Sequence, residues 1–328
     1  MKRCGQSSIL DSQLRLGFLD SGPWCFSKGP ARLLFVIFLF IVVTFGNALA
    51  SAQDSRKTAE RVAHSYVAGE QAPVPEDGAV TDGFYINKYF GFTFPLPQNW
   101  SEGFDEPPPS NTGYYVLSSL RPRGVVNATI LISAVDLFFY PRTVNNSMGL
   151  LQEIKQNLNR AMKAESGPAE VKIANHPFAR FDFRGAGLYH AHFATDIRCH
   201  VVSFVITTGD KQLLKKLVQD LNNIKFTEIT APVCVKNYAS GENVLHKVYP
   251  AMTGPKFTTV PVRVIIGTSG RVKQMHVIHA FPEQAKSIED ALMQWVFKPY
   301  TLNGNAVEVE TGILFEFRPK EENPRGDK

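Results

Sequence analysis

The stretch that decides the fold is Ala291-Leu292-Met293-Gln294-Trp295-Val296-Phe297-Lys298-Pro299-Tyr300, followed by Leu302-Asn303-Gly304-Asn305. Its apolar residues continue a helical stripe, and Pro282 suits the first turn of that helix, where a missing N–H costs no hydrogen bond. We expect the helix to end at Pro299 and Asn303-Gly304 to form a tight turn. Residues 306–317 then alternate apolar and polar side chains, as a half-buried strand does.

A hairpin precedes this helix. Thr258–Gly267 alternates cleanly, Gly267–Gly270 suits a turn, and Arg271–Ala280 returns as a second strand. The order over residues 238–318 is therefore β-β-α-β, a small sheet crossed by one helix.

Several of these residues form a specific string: Val248-Tyr249-Pro250, Trp295, Lys298-Pro299 and Asn303-Gly304, closed by a strand. The string resembles the TonB C-terminal domain family. The resemblance implies a bacterial periplasmic domain that captures an extended peptide of an outer-membrane receptor on a sheet edge.

An unpaired edge offers N–H and C=O groups that an incoming strand can satisfy. The candidate edge is Ala306–Phe317, because a last strand that follows a helix need not have two neighbours. The partner-binding candidates are Val307, Glu308, Val309, Glu310, Thr311 and Ile313. The alternatives are an edge covered by a second copy of the chain or by the tail, residues 319–328, which we expect to be disordered.

The chain also departs from TonB. TonB has a histidine in its membrane helix and a long Pro/Lys-rich linker, whereas Leu33–Phe45 contains no histidine and the chain becomes globular soon afterwards. The resemblance therefore implies the fold and a binding mode, and energy coupling does not carry over.

Residues 84–229 predict a second, antiparallel α+β domain. Strand-like runs alternate with two helices, the first capped by Asn146 or Ser147 and ending its apolar stripe at Met162, the second capped by Asp210. The tyrosine–glycine–phenylalanine–proline–tryptophan opening and the closing helix before Ile224 resemble the PsbP-like α/β/α sandwich family.

The first 52 residues resemble a leader. Arg32 precedes thirteen uncharged residues, Leu33–Phe45, and Ala48-Leu49-Ala50-Ser51-Ala52 offers two A-x-A processing sites. The alternative is a retained inner-membrane anchor over residues 33–50, the minimum length for a span. Either interpretation exports the rest of the chain to the periplasm. Residues 53–83, polar and rich in proline, are predicted to be a linker.

Two cysteines remain after the leader, Cys199 and Cys234. They can form one disulfide in an oxidising compartment or stay as two buried thiols. No zinc-type cysteine spacing is present. His190 and His192 share a strand face, near His200 in sequence, but without an acid at matching spacing they predict no metal site.

Charge and motifs restrict the function further. The formal net charge is +5, and residues 1–32 account for +3 of it through five basic and two acidic side chains. The rest of the chain carries only +2, so we expect no nucleic-acid-binding surface. There is no nucleotide fingerprint or G-x-S-x-G, so no cofactor is predicted. Asp136 and Asp182 lie in apolar strands, which suits either a buried acid pair or, more commonly, acids close to a strand edge or a turn.

The leading hypothesis is thus a non-enzymatic envelope protein that binds a protein or peptide in outer-membrane transport or envelope assembly. The alternatives are a periplasmic enzyme with its site in residues 84–229, and a structural oligomer in which the C-terminal sheet pairs with itself.

If the leader is processed, the mature protein begins at Ser51 or Gln53, after one of the two A-x-A sites. N-terminal sequencing of the chain expressed in a Gram-negative host measures this directly. An intact leader in the membrane fraction would instead establish the anchor.

Overall fold

The computed structural model describes residues 62–67, 73–103, 113–124, 126–140, 144–251 and 258–317. Its strands are β1 (Val62–Val67), β2 (Ala79–Thr81), β3 (Phe84–Asn87), β4 (Phe92–Pro95), β5 (Trp100–Glu102), β6 (Tyr114–Pro122), β7 (Ala128–Asp136), β8 (Met162–Ala164), β9 (Ala169–Ile173), β10 (His176–Gly185), β11 (Leu188–Ile197), β12 (His200–Thr208), β13 (Lys225–Phe226), β14 (Val233–Cys234), β15 (Val244–His246), β16 (Thr258–Ile266), β17 (Val272–Ala280), β18 (Val296–Phe297), β19 (Thr301–Leu302), β20 (Asn305–Ala306) and β21 (Val309–Phe317).

The helices are α1 (Ser147–Gln156), α2 (Lys211–Asp220) and α3 (Pro282–Leu292), with short 3₁₀ turns at Leu221–Asn223 and Gly241–Asn243. No helix in the described part of the chain has both the length and the apolar composition needed to cross a membrane. The predicted leader and tail lie outside the described residues.

The large sheet forms the middle of the molecule. Its strands run in the order β5-β6-β7-β12-β11-β10-β8, with β9 also paired to β10. Helix α1 packs on one face through Leu150 and Leu151. Helix α2 covers the other face through Leu217, beside a small sheet of order β13-β4-β3-β2. This part of the chain is sheet-rich, with one helix on each side of the large sheet.

The capping residues of the first two helices are among those that the sequence predicted. Asn146 accepts a hydrogen bond from Gly149 N at the start of α1, and Asp210 accepts from Gln212 N and Leu213 N at the start of α2. Helix α1 is shorter than its apolar stripe suggested, because it ends at Gln156 and Met162 belongs to β8. A turn of two residues with positive φ, Ala174 and Asn175, separates β9 from β10.

The C-terminal sheet has the order β1-β17-β16-β21-β14 and carries α3 on one face. The predicted hairpin is present as β16 and β17, and its turn is closed by the bond from Gly270 N to Gly267 O, 2.9 Å. Gly270 is required there, because a Cβ on it would lie 2.1 Å from the carbonyl oxygen of Phe297. Asn303 and Gly304, both at positive φ, form the predicted turn between β19 and β20.

The end of the predicted helix needs correction. Helix α3 stops at Leu292, and Val296 and Phe297 instead form β18, which pairs with β15. Trp295 therefore lies beyond the helix, although it is buried. Its indole N–H donates to the carbonyl oxygen of Val248 at 2.7 Å, and its ring packs against Phe297 and Phe315.

The predicted linker is not free of secondary structure. Within residues 53–83, β1 pairs antiparallel with β17 and β2 pairs with β3. A turn at Val74–Asp77 is closed by the Asp77 carboxylate, which accepts from Val74 N at 2.8 Å. The short, polar sequence pattern did not predict these strands, because β1 forms only by pairing with β17, a segment about two hundred residues away.

The middle and C-terminal parts are joined by a covalent bond. Cys199, in the turn between β11 and β12, forms a disulfide with Cys234 of β14, with Cα atoms 5.7 Å apart. Of the two alternatives for these cysteines, the structure has the bridge. Residues from Asp54 onward form one compact unit.

We expect Trp295→Ala to lower the free energy of unfolding by about 3–5 kcal/mol, because it empties the space between α3 and the sheet. Urea denaturation of the full chain followed by circular dichroism measures this. Leu302→Ala, at a side chain that is 45% exposed, is the control and should change stability by less than about 0.5 kcal/mol. A small loss for Trp295→Ala would contradict the packing.

Candidate functional site: the outer edge of the last strand

The last strand, β21, is covered unequally on its two edges. On the inner edge β16 pairs with it along its whole length, from Thr258 opposite Phe317 to Ile266 opposite Val309. On the outer edge β14 pairs only with Val309 and Glu310. Among the described residues, no strand borders residues 312–317 on this side.

The backbone directions follow from the bonds to β14. Val233 N donates to Glu308 O at 2.9 Å and Val235 N donates to Glu310 O at 3.0 Å, so these carbonyls face outward. Because backbone polar groups alternate along a strand, those of Gly312 and Leu314 also face outward, and those of Ile313 face β16. Pro261, opposite Leu314, agrees with this register, because that pair exchanges no hydrogen bond.

The predicted partner-binding residues lie mostly just before this open part. Val307 and Glu308 precede β21, and Glu308 is bonded to Lys273 Nζ at 2.6 Å. Val309 and Thr311 are buried. Of the predicted set, Ile313 alone lies within the open segment, and its side chain packs toward the α3 core. The open edge begins one position beyond Thr311, because β14 covers the start of the strand.

The open edge lies beside an apolar surface. Leu314 is 58% exposed and shares its face of β21 with Gly312. A Cβ on Gly312 would lie 2.6 Å from the Cβ of Phe138, which belongs to the middle part of the chain. Sequence reasoning missed Gly312 and Leu314, although a glycine inside a strand is a known signal of close approach by another segment.

Glu310, on the same face, is buried in an ion cluster. Arg263 of β16 donates from Nε to Glu310 Oε1 at 3.1 Å, and its Nη2 lies 2.8 Å from the same oxygen. Its Nη1 donates to Asp136 Oδ2 at the end of β7. The guanidinium also lies over the ring of Phe138, 4.8 Å from the centroid. One arginine thus links the C-terminal sheet to the large sheet.

The charged groups of the cluster, and His200 beside them, are buried. Burial raises the pKa of Asp136 although the charge of Arg263 opposes it. Burial also works against the charge of Arg263, but Asp136 and Glu310 together raise its pKa above the usual value. His200 Nε2 lies 3.7 Å from Asp136 Oδ2, and burial, followed by the charge of Arg263, holds the pKa of this imidazole well below its usual value.

The structure brings together neither an acid pair of Asp136 and Asp182 nor a metal-binding group of histidines. Asp136 pairs with Arg263, whereas Asp182 lies on β10 and accepts from Arg180 at 2.9 and 2.8 Å. His190 stacks on Phe183, with centroids 4.6 Å apart, and burial lowers its pKa to about 4. Within the described ranges, no three His, Cys, Asp or Glu side chains converge as metal ligands.

The family-motif residues divide into buried and exposed ones. Trp295 is buried, whereas Lys298, Pro299 and Tyr249 are exposed, Tyr249 by 76%. Pro250 is partly buried. Lys247 Nζ lies 4.7 Å from the Tyr249 ring centroid and 5.1 Å from that of Trp295. The lysine therefore contacts both the exposed and the buried aromatic ring of the motif.

We expect Arg263→Met to destabilise the full chain by roughly 3–5 kcal/mol, because two carboxylates remain buried without their cation. Arg180→Met is the matched control. Its partner Asp182 is partly exposed, so the loss should be at most about 1 kcal/mol. Urea denaturation of both variants gives the comparison, and equal losses would contradict the importance of the cluster.

The pH dependence of Arg263→Met gives a second test. Since burial raises the pKa of Asp136, the folded chain binds a proton there more tightly than the unfolded chain, and the contribution of this group to the free energy of unfolding rises as pH falls through that pKa. Without the guanidinium this preference grows. The deficit of the variant should therefore shrink between about pH 7 and about pH 4.

The C-terminal part of the chain is similar in sequence to a known protein family. Residues 246–319 match the family model described as Gram-negative bacterial TonB protein C-terminal. No curated protein matches the chain in sequence.

Two solved structures resemble the chain weakly. The solution structure of cyanobacterial PsbP (CyanoP) from Synechocystis sp. PCC 6803 is 11% identical, with a TM-score of 0.32, over 55% of this chain and 100% of that one. A Pseudomonas aeruginosa protein of unknown function is 14% identical, with a TM-score of 0.28, over 42% and 92%.

The family match confirms the resemblance drawn from the tryptophan, lysine–proline and asparagine–glycine motifs. Residues 246–319 are therefore similar in sequence to the C-terminal domain of Gram-negative bacterial TonB proteins.

Proposed function

We propose that this chain is a non-enzymatic bacterial envelope protein that captures an extended peptide on the outer edge of β21. The observation that carries the proposal is the set of outward backbone groups at Gly312 and Leu314, which no strand of the described chain pairs. A peptide that adds as a strand satisfies such groups directly.

The edge is long enough for specific binding. Residues 312–317 span six positions, about 20 Å at the usual rise of a strand. Main-chain bonds would supply affinity, and alternate side chains of the peptide would supply selectivity. On one face these side chains would meet Leu314 and the partly buried Phe138, which favours an apolar residue in the peptide.

The family match supports the kind of partner. In TonB the captured peptide belongs to an outer-membrane receptor, and we propose a partner of this class, or an envelope-assembly protein, in the periplasm. An inner-membrane anchor over residues 33–50 would lie outside the described residues. We assign no energy coupling, because residues 33–45 lack the histidine found in TonB.

The middle domain would act as a rigid support for this edge. The disulfide of Cys199 fixes β14 beside β21, and Arg263 fixes β16 to the large sheet. An edge held in this way loses little conformational freedom when a peptide binds, which favours affinity.

Leu314→Pro tests the proposal, because it removes one outward N–H and leaves the ladder to β16 intact. Peptides selected from a random phage-displayed library against the full chain serve as probes, measured by fluorescence anisotropy. We expect binding at least about tenfold weaker for Leu314→Pro, the loss of roughly one hydrogen bond.

Two controls accompany this variant. Leu314→Ala loses the same side chain but keeps the N–H, so it should retain most of the affinity. Ile313→Pro removes an N–H that faces β16 and should lower stability instead. Equal affinities of the Leu314→Pro and Leu314→Ala variants, or selected peptides that leave the Gly312 amide unshifted in NMR spectra, would overturn edge capture.

A further inference from the structure

The large sheet ends in an exposed edge strand, β9 (Ala169–Ile173). All five residues of β9 pair antiparallel with β10. In the described part of the chain, β9 pairs with no other strand. Its outer edge therefore offers backbone N–H and C=O groups that another strand can satisfy.

The turn between β9 and β10 fixes which backbone groups of β9 face outward. Both residues of this turn have positive φ, so Ile173, which precedes it, belongs to the hydrogen-bonded pair that closes the hairpin. Because hydrogen-bonded and non-hydrogen-bonded pairs alternate, Lys172 and Glu170 face away from β10. Pro177, opposite Lys172, agrees with this register, since it has no N–H and its carbonyl oxygen accepts from Thr195 Oγ1 at 2.8 Å.

The two residues that face outward carry opposite charges. Glu170 and Lys172 are two positions apart, so their side chains lie on the same face of the sheet, and both are exposed. When a second β9 adds antiparallel with Val171 opposite its own copy, each Glu170 lies directly opposite the Lys172 of the other copy. In the same register the outward N–H and C=O groups of these residues bond to each other, because both residues face the partner strand.

Charge also disfavours the neighbouring registers. Outward groups meet again only when the second strand slides until Glu170 or Lys172 lies opposite its own copy. Like charges directly opposite each other are destabilising, whereas opposite charges are stabilising. An edge lysine usually protects a strand from pairing. On β9 this protection applies to the neighbouring registers, and the register centred on Val171 escapes it.

The surface beside β9 leaves room for a second copy. In the register centred on Val171, the turn at 174–175 of the second copy lies next to Gly167 and Pro168, which precede β9. An open hollow of about 390 Å³ lies at this place and is lined by Gln152, Lys155, Gln156, Gly167 and Pro168. The amide of Asn175 from the second copy can bond to the lysine and glutamine side chains there.

We propose that this chain forms a symmetric dimer through β9, in which the large sheets of two copies join edge to edge. The two-fold axis passes between the two Val171 residues, so every contact occurs twice and the assembly closes on itself. The interface is small, and we therefore expect a dimer that dissociates on dilution. The inference does not rest on peptide capture, because β9 belongs to the large sheet and β21 to the C-terminal sheet.

Charge reversal in the full chain tests the register. Glu170→Lys gives an edge with two lysines and Lys172→Glu gives an edge with two glutamates, so each variant should dimerise at least about tenfold more weakly. An equimolar mixture of the two variants restores both opposite-charge pairs and should recover the dimer. The chain that carries both changes should also recover it. Sedimentation velocity over a series of protein concentrations measures the association.

A cross-link gives an independent measurement. In the full chain with Cys4→Ser and Cys25→Ser, Val171→Cys places two thiols opposite each other in a non-hydrogen-bonded pair, within disulfide reach. Oxidation should give a band at the mass of two chains, with the 171–171 bridge identified by peptide mass spectrometry. Ala169→Cys is the matched control on the same face of β9. It lies opposite Ile173 of the other copy and should give no such bridge.

Three outcomes would overturn the proposal. The first is a full chain that remains monomeric at every concentration and gives no 171–171 bridge. The second is a dimer that neither charge reversal weakens, because its interface then lies elsewhere. The third is a dimer that both reversals weaken but that their mixture does not restore, because Glu170 and Lys172 then do not face each other. Each outcome leaves peptide capture on β21 unaffected.

Discussion

The guanidinium of Arg263 is the interaction on which the rest of the structure depends. It lies in β16, at the centre of the C-terminal sheet, and reaches both Asp136 of the large sheet and Glu310 of β21. A buried charge that lacks its partner costs several kcal/mol, so these three groups must come together. The register of β16 against β21 and the docking of the two sheets are therefore fixed by the same cluster.

Local patterns predicted the hairpin, the start of the helix and the last strand of the C-terminal domain, but not this cluster. Alternation gives the hairpin and the last strand, and Pro282 gives the start of α3. The same alternation places Glu310 and Glu316 on one face and cannot tell that Glu310 is buried. Its partner Arg263 is 47 residues away, and Asp136 is a further 127. Period-two patterns carry no information at such separations.

The candidate site shows the same limit. That the last strand has an edge follows from its place after a helix, but the open part depends on β14, two residues long and without a pattern of its own. Helix α3 ends at Leu292, and Trp295 beyond it donates to the carbonyl oxygen of Val248, a distant contact that helical periodicity cannot show. The glycine at position 312 was the available signal, since its missing side chain accommodates Phe138.

The strands at the two ends of the C-terminal sheet affect where the gene can be cut. A fragment that starts at residue 238, as the family motif suggests, would omit β1 and β14 together with Cys234. It would also leave Arg263 without its partner Asp136 and expose the edge of β17 that β1 covers. Such a fragment would be prone to aggregate during expression. The recognisable homology unit is thus smaller than the unit that folds, and recombination of this domain onto another protein would have to carry segments that lie far upstream.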